Sequence, residues 1–400
     1  MKGDRPELGV RKLDGEKSVD SMRILMVSDY FYPFLFGGGE RRMYELAKRL
    51  ARRHEVHIIT RRLADSARYE QHEGIHIHRI FVPSRRITLE SFINGLFFML
   101  GVLFKSLRLG EFDVYSPQQF FPLPPTWVAS KVRGRPTVAT IHDVYASGWV
   151  QQYGFKGSLM ALFENATLKL PYAKVVTVSN PSKEKLVASG ISGERIEVIP
   201  NGVDIAAFDE IKAKKSGRSR IIYLGRLIEY KHVDDLFVAF SKLDLEAELY
   251  VVGEGPEKEN LKELSRSLGI ENRIFFAGFV DERRKIELLK SAQALVLPST
   301  VEGFAIVLIE GMAAGTPVIT ADIPAVHVSV RDGETGLLFK PRDIKGLKTK
   351  LERLLRDKDL RSKLSQKGYE LVKKEFIWDK IAEKVEITLS LKHPKRDITI

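Results

Sequence analysis

Strand and helix patterns that alternate along nearly all of the 400 residues predict an α/β protein of two doubly wound domains, each on a mostly parallel sheet, facing each other across a cleft. Three observations carry that expectation. Short apolar runs of strand length recur between helical patterns, the alternation breaks at the basic, polar stretch Lys212–Ser219, and it then resumes. The apolar fraction of 44% is ample for two cores.

In order along the chain, residues 1–21 are charged and lack the apolar segment of a signal peptide, so they are read as a disordered tail or an artefact of start-codon choice. Met22 opens the first strand abruptly. A first domain over 22–205 is expected to hold strands Arg23–Ser28, Glu55–Thr60, Ile75–Ile80, Asp113–Ser116, Thr137–Ile141, Lys174–Val178 and Ile196–Ile199. The linker is placed at Ala206–Arg218. A second domain over 206–375 should carry strands near 221–224, 248–252, 273–276, 294–297 and 317–320, and the apolar pattern Phe376–Leu391 reads as a closing helix within 376–400. The longest apolar run, Phe92–Phe104, falls short of the roughly twenty residues a membrane span needs. There is no cysteine, which removes disulfides and thiolate metal sites.

In such sheets, ligand loops sit at the C-terminal ends of the strands. Gly37, Gly38 and Gly39 precede the helical pattern Arg41–Ala51, where glycine lets backbone approach a phosphate and the helix N-terminus supplies N–H donors. A plain flexible turn fits the same spacing. A dinucleotide fingerprint does not, because Arg42 and Lys258 stand where a third glycine belongs. Arg226 and Lys231 lie five positions apart in a loop after a strand, placed to grip a diphosphate. Glu302 and Glu310 lie eight apart around a helix start near Ala305, where the N–H groups of Phe304, Ala305 and Ile306 are free. Each pair alone fits ordinary surface residues; together they suit a phosphorylated, polyhydroxylated ligand.

His142 follows the strand ending at Ile141 and can reach the cleft, with Asp143 beside it as a helix cap or an orienter of the imidazole. His72, His76 and His78 are read as structural, since no carboxylate pair completes a metal site. Asp357-Lys358-Asp359 reads as a helix start, so a diphosphate would be neutralised by Arg226, Lys231 and backbone N–H groups, and no metal is expected.

The ordered set Tyr32-Pro33, Gly37-Gly38-Gly39-Glu40-Arg41, Thr140-Ile141-His142-Asp143, Val178-Ser179, Pro200-Asn201-Gly202-Val203-Asp204, Gly225-Arg226 with Lys231, Val252-Gly253-Glu254-Gly255-Pro256, Gly278-Phe279-Val280, Glu302 to Glu310 and Gly315-Thr316-Pro317-Val318-Ile319 resembles the retaining glycosyltransferases of family 4 from Met22 to about Asp379. The resemblance implies the GT-B fold, with two Rossmann-like domains, the first for the acceptor and the second for a nucleoside diphosphate sugar of UDP or GDP type. By that likeness Glu310 would hold the ribose hydroxyls, Glu302 with the amides of Gly303, Phe304 and Ala305 the transferred sugar, and backbone at Phe279 and Val280 the base. Gly37 and Gly38 would line the donor side of the first domain, and His142 would contact the sugar near its anomeric centre. Arg226 and Lys231 would stabilise the leaving diphosphate. The acceptor hydroxyl would attack from the leaving-group face, so no protein nucleophile and no cofactor are required. Sugar-nucleotide isomerisation, phosphorolysis and a non-catalytic sugar-binding subunit are the alternatives; no lysine stands out for pyridoxal phosphate, and the presence of Arg226, Lys231, Glu302 and Glu310 together speaks against a dead subunit. His232, Ala305 and Ala321–Ala325 depart from the family pattern, the first two by replacing glycine, and a methyl at Ala305 is expected to narrow the space near the sugar.

Of the net charge of +12, residues 1–200 hold 29 Lys and Arg against 20 Asp and Glu, and residues 201–400 hold 35 against 32. A basic acceptor domain with the apolar helix Leu89–Leu109, flanked by Arg85, Arg86, Lys105 and Arg108, suits a lipid-linked acceptor at an anionic membrane surface, on the cytoplasmic face. The same helix read as plain domain core leaves a soluble glycan as acceptor. No nucleic-acid reader motif is present, so nucleic acid is not expected as a partner.

Overall fold

A computed structural model describes residues 21–35, 37–63, 66–82, 89–145, 148–150, 154–213 and 217–391. The expected N-terminal tail, Arg85 and Arg86, and the middle of the expected linker lie outside the described residues.

The first sheet runs β3 (Tyr69–His72), β4 (Ile75–Phe81), β2 (Glu55–Arg62), β1 (Arg23–Val27) and β5 (Val114–Pro117). Bridges Tyr115–Thr137 and Gln118–Thr140 continue it into β6 (Val138–Thr140), β7 (Lys174–Thr177) and β8 (Ile196–Val198). The second sheet has the order β11 (Ile274–Gly278), β10 (Ala247–Val252), β9 (Ser219–Leu224), β12 (Ala294–Leu297), β13 (Val318–Ala321) and β14 (Leu337–Phe339). Every pairing is parallel except β3 with β4. Helices α1 (Gly38–Leu50), α2 (Leu89–Arg108), α3 (Leu123–Val132), α4 (Phe155–Leu168) and α5 (Asn180–Ala188) belong to the first domain. Helices α6 (Ile205–Glu210), α7 (Val233–Ser241), α8 (Lys258–Ser267), α9 (Glu282–Ser291), α10 (Ile306–Ala313), α11 (Ile344–Arg356) and α12 (Lys358–Glu375) belong to the second. The chain is therefore a GT-B molecule of two Rossmann-like domains.

Covered on both faces, the central strands are apolar without a break. In β1, Ile24 and Met26 enter the core under α1, while Leu25 and Val27 enter the core under α2. Helix α1 sends Met43, Leu46, Ala47 and Leu50 to the sheet at helical spacing, with Glu40 in its first turn and Lys48 and Arg49 in its last to complement the dipole. The final helix, α13 (Trp378–Leu389), returns from the second domain to the first and packs on α1 through Ile381, Ala382, Val385 and Leu389. At the crossing, Val203 and Ile377 form a bridge.

Two strands and one helix differ from expectation. Strand β3 pairs with β4 through the two-residue turn Glu73-Gly74, both at positive φ, 48° and 78°; that turn usually advertises itself as Asn-Gly or Asp-Gly. Strand β14 is a three-residue edge. Helix α6 occupies the start of the expected linker, because Phe208 is buried in the second core and pins it there.

The histidines of β2 and β4 form a directional chain. His57 Nε2 lies 2.8 Å from Glu55 Oε1, so its Nδ1 is the acceptor for His78 Nε2 at 3.0 Å, and His76 stacks on His57 at 4.6 Å. Burial lowers His57, and burial with the nearby Lys105 brings His78 down to about 3. Both rings stay neutral in the fold while the unfolded chain takes up protons near 6.5, so this contribution is complete above that pH and is lost as pH falls. His78 should remove at most about 1.4 kcal/mol per pH unit below roughly 6.5, and His57 acts in the same direction. Urea unfolding of the parent between pH 7 and 5 should show that slope, and His78→Gln should flatten it.

Candidate functional site

In both sheets the strand order reverses beside the first strand of the domain, between β1 and β5 and between β9 and β12. Loops leaving the C-terminal ends of those strands converge on the cleft, the place where such folds bind ligands. They carry Gly37–Gly39, Gln118 and Gln119 from the first domain, and Gly225–His232 and Ser299–Ala305 from the second.

The two halves touch through glycine. A Cβ on Gly39 would stand 3.2 Å from His142 Nε2, and one on Gly303 would stand 3.4 Å from His142 O, while Gly38 lies against Ile306 of the second domain. Small residues therefore let His142 pack closely on both sides, its imidazole against Gly39 and its carbonyl against Gly303 of the loop bearing Glu302. His142 N–H donates to Gln119 Oε1 at 3.0 Å, and its Nε2 lies 3.4 Å from Gln118 Oε1. Burial first, and the guanidinium of Arg42 second, push His142 down to about 3, so it is neutral at physiological pH. Asp143 does not orient the ring: its carboxylate pairs with Lys185 at 2.8 Å and accepts from Val144 N–H at 2.9 Å. Gln118 faces the ring, and Gln119 holds the backbone on either side, accepting from His142 N–H and donating to Asp143 O at 2.7 Å.

Lys231 Nζ lies 2.5 Å from Glu302 Oε1, with both side chains mostly buried. The sequence suggested a phosphate cation and a sugar carboxylate; here the two neutralise each other across 71 positions of chain. Arg226 is exposed, and its Nη2 donates to the Tyr230 hydroxyl at 3.2 Å. The loop that bears it is braced by backbone, Gly225 N–H donating to Val252 O at 3.0 Å and Leu227 N–H to Glu254 O at 2.9 Å, and by the Tyr223 hydroxyl, which donates to Arg226 O at 2.8 Å. Gly253, at φ 136°, allows that contact, since a Cβ there would fall 1.9 Å from Gly225 O.

Glu310 is 4% exposed and accepts from Lys285 Nζ of α9 at 2.7 Å. Arg41 of α1 reaches across the cleft to it at 3.2 Å and grips Glu282 of α9 with both terminal nitrogens, at 2.5 and 2.7 Å. Burial would raise Glu282, but the hydrogen bond and charge of Arg41, with Lys285, overcome it and hold the carboxyl at about 2. The expected ribose carboxylate thus belongs to a four-residue ionic cluster spanning both domains. Glu40, beside Gly37, is raised by burial with Arg226 opposing from the other domain.

Phe279 projects into solvent, 82% exposed, while Val280 packs on the second core. Phe304 is buried in that core, and so is Ala305, which starts α10 in the left-handed region at φ 60°. Its methyl is 7% exposed and counts among the core side chains. Asp357 caps α12 by accepting from Leu360 N–H at 2.8 Å. Gln118, Gln119, Arg41, Glu282 and Lys285 are the cleft residues that sequence reasoning did not single out.

Residues 36–207 match the family described as Glycosyltransferase Family 4, and residues 204–371 match Glycosyl transferases group 1. An uncharacterized glycosyltransferase of Methanocaldococcus jannaschii is 28% identical over 388 residues, 90% of this chain and 96% of that one. The glycogen synthase of Mycobacterium tuberculosis is 26% identical over 385 residues, 90% of this chain and 92% of that one. Among solved structures, sucrose-phosphate synthase from Thermosynechococcus elongatus superposes with a TM-score of 0.78 at 21% identity, over 92% of this chain and 98% of that one. HepE of Anabaena in complex with UDP-glucose does so with a TM-score of 0.75 at 20% identity, over 92% and 99%.

Proposed function

The chain belongs to the family 4 glycosyltransferases, and from that premise we propose that it moves a hexosyl group from a UDP- or GDP-type sugar to an acceptor hydroxyl, with retention at the anomeric carbon and without a metal ion. One observation carries the reading: Arg226, the Lys231–Glu302 pair and Glu310 sit at the switch point of the second sheet, facing His142 and the glycines of the first. Arg226 and Lys231 take the diphosphate, Lys231 exchanging its carboxylate partner for phosphate oxygen. Glu302, released by that exchange, and the amides of Gly303 to Ala305 hold the sugar. Glu310 holds the ribose, and Phe279 and Val280 flank the base. Neutral His142, its backbone N–H held by Gln119 and its Nε2 facing Gln118, lies against the sugar. The acceptor oxygen bonds to the anomeric carbon as the bond from that carbon to phosphate oxygen breaks on the same face, and the departing phosphate takes the acceptor's proton.

A thermal-shift screen of nucleoside diphosphates and their sugars should identify the donor base. With it in hand, transfer should persist in excess chelator and give a product with the donor's anomeric configuration by proton NMR. An inverted anomer, or activity abolished by chelator and restored by magnesium, overturns the mechanism.

The acceptor we assign is a lipid-linked sugar or growing glycan met at an anionic membrane surface on the cytoplasmic side. Helix α2 buries Phe98 and Val102, yet turns Leu96, Phe97, Leu100 and Phe104 to solvent, and α4 does the same with Phe155, Leu159 and Leu162. Between residues 91 and 110 there is no Asp or Glu, while Lys105 and Arg108 close the helix. An apolar stripe ending in cations is the chemistry of a helix lying in a lipid interface. Among the described residues no helix is long and apolar enough to cross a membrane. Binding to phosphatidylglycerol vesicles should be strong at low salt and weaken as salt rises, and replacing Arg85, Arg86, Lys105 and Arg108 by Gln should remove about 1 kcal/mol for each charge at the surface. Undiminished sedimentation of that variant would leave a soluble acceptor as the better reading.

A further inference from the structure

Lys231 meets Glu302 because their loops are joined just behind them. His232 closes the short 3-10 turn Glu229–Lys231 and opens α7 in the left-handed region, at φ 47° and ψ 46°, where a residue with a side chain sits at an energetic cost. Glycine would make that turn freely; it could not make what the ring makes. His232 Nε2 lies 2.9 Å from Thr300 Oγ1, two residues before Glu302. Thr300 N–H donates to Tyr230 O at 3.1 Å, and its hydroxyl lies 3.5 Å from the same oxygen. On the opposite edge of the ring, Nδ1 meets Arg342 Nη1, and that guanidinium also pairs with Asp235 at 3.2 Å and Asp234 at 3.7 Å.

Arginine can only donate, so Nδ1 accepts and the ring proton sits on Nε2. Nε2–H then donates to the Thr300 hydroxyl, which is left to donate to Tyr230 O. The chain runs one way, from Arg342 through His232 and Thr300 to the residue beside Lys231.

We propose that His232 is a positioning residue for the donor site: neutral and protonated at Nε2, it locks the loop carrying Lys231 to the loop carrying Glu302 and so fixes how the cation and carboxylate face the donor. The inference rests on the donor-site reading above. A second proton would turn Nδ1 into a donor facing the donors of Arg342 and break the chain at its first link. The charged groups around the ring are Arg342 from the loop before α11, Asp234 and Asp235 of α7, and Glu229 of the preceding turn, and Glu257 lines the same cavity of ≈ 220 Å³. Burial, then Arg342, keep the imidazole below its ordinary value, so the lock is intact at neutral pH and fails as pH falls.

Long-range proton–nitrogen NMR of the histidine rings should show His232 neutral with its proton on Nε2 at neutral pH. His232→Gly should speed hydrogen exchange at the Thr300 amide roughly tenfold and weaken binding of UDP or GDP about 3- to 10-fold. His232→Asn, which tolerates the left-handed turn and keeps an N–H donor, should recover part of both, and Thr300→Val should reproduce the glycine variant. Lowering the pH should weaken nucleotide binding by the parent towards that of the glycine variant, whose own affinity stays flat. A ring protonated on Nδ1, or a glycine variant with unchanged exchange and affinity, overturns the proposal. If the parent binds neither UDP nor GDP, the donor assignment is what fails, and ring tautomer with Thr300 exchange decides the lock alone.

Discussion

Glu310→Ala is expected to cost about 3 kcal/mol of folding stability, the low end of the 3–5 kcal/mol that follows removal of one partner from a buried ion pair. Its carboxylate neutralises Lys285 at 2.7 Å in a site almost closed to water, and Arg41 leans on the same oxygen. Glu282 remains 2.9 Å from Lys285 after the change, which is why the upper end of the range is not reached. Chemical denaturation at neutral pH checks the figure. Lys285→Met combined with Glu310→Leu should recover most of the loss, since an apolar pair of similar volume leaves no stranded charge, while nucleotide affinity stays low because the ribose carboxylate is gone. A loss below about 1 kcal/mol in the single variant would mean that Glu282 satisfies Lys285 unaided.

Lys231→Ala and Arg226→Ala should each weaken UDP or GDP binding by about 1.5–3 kcal/mol, the worth of a hydrogen bond to a charged group. The two should differ in stability. Lys231 leaves Glu302 without its partner at 2.5 Å, so that variant should also lose melting temperature, whereas exposed Arg226 gives up its contact with Tyr230 and a charge opposite Glu40. Arg226→Lys should keep part of the affinity, because it keeps the charge and loses the planar fork. Unchanged calorimetric affinity in both alanine variants would remove the diphosphate from this loop.

What was legible in the sequence follows from how each part is stabilised. Strands buried on both faces announce themselves as unbroken apolar runs, so β12 is found at Ala294–Leu297 as read from the sequence. Edge strands have no such signature: β3 alternates exposed and half-buried positions, and β14 is three residues long. The cations and carboxylates of the second domain were legible because they follow strand ends within one domain. Arg41 was not, because its contacts with Glu282 and Glu310 exist only once two separately folded sheets are set face to face. Gln118 and Gln119 carried a usable signal, two amides directly after the strand ending at Pro117, next to the strand that delivers His142.

Helix α13 places a constraint on the order in which this chain can be made. Trp378, Ile381, Ala382, Val385 and Leu389 complete the apolar layer over Met43, Leu46 and Leu50 of α1, and Trp378 has no exposed surface. Its polar rim returns as well, Glu386 lying 3.1 Å from His54 and 3.2 Å from Arg53, and Asp379 lying 3.2 Å from Arg49. On the ribosome, then, the domain synthesised first is the one finished last: its apolar flank waits uncovered while more than 170 later residues emerge and form the second domain between its two halves. A nascent chain halted before Trp378 should be the aggregation-prone species, and severing this helix would strand the first domain without shortening the second.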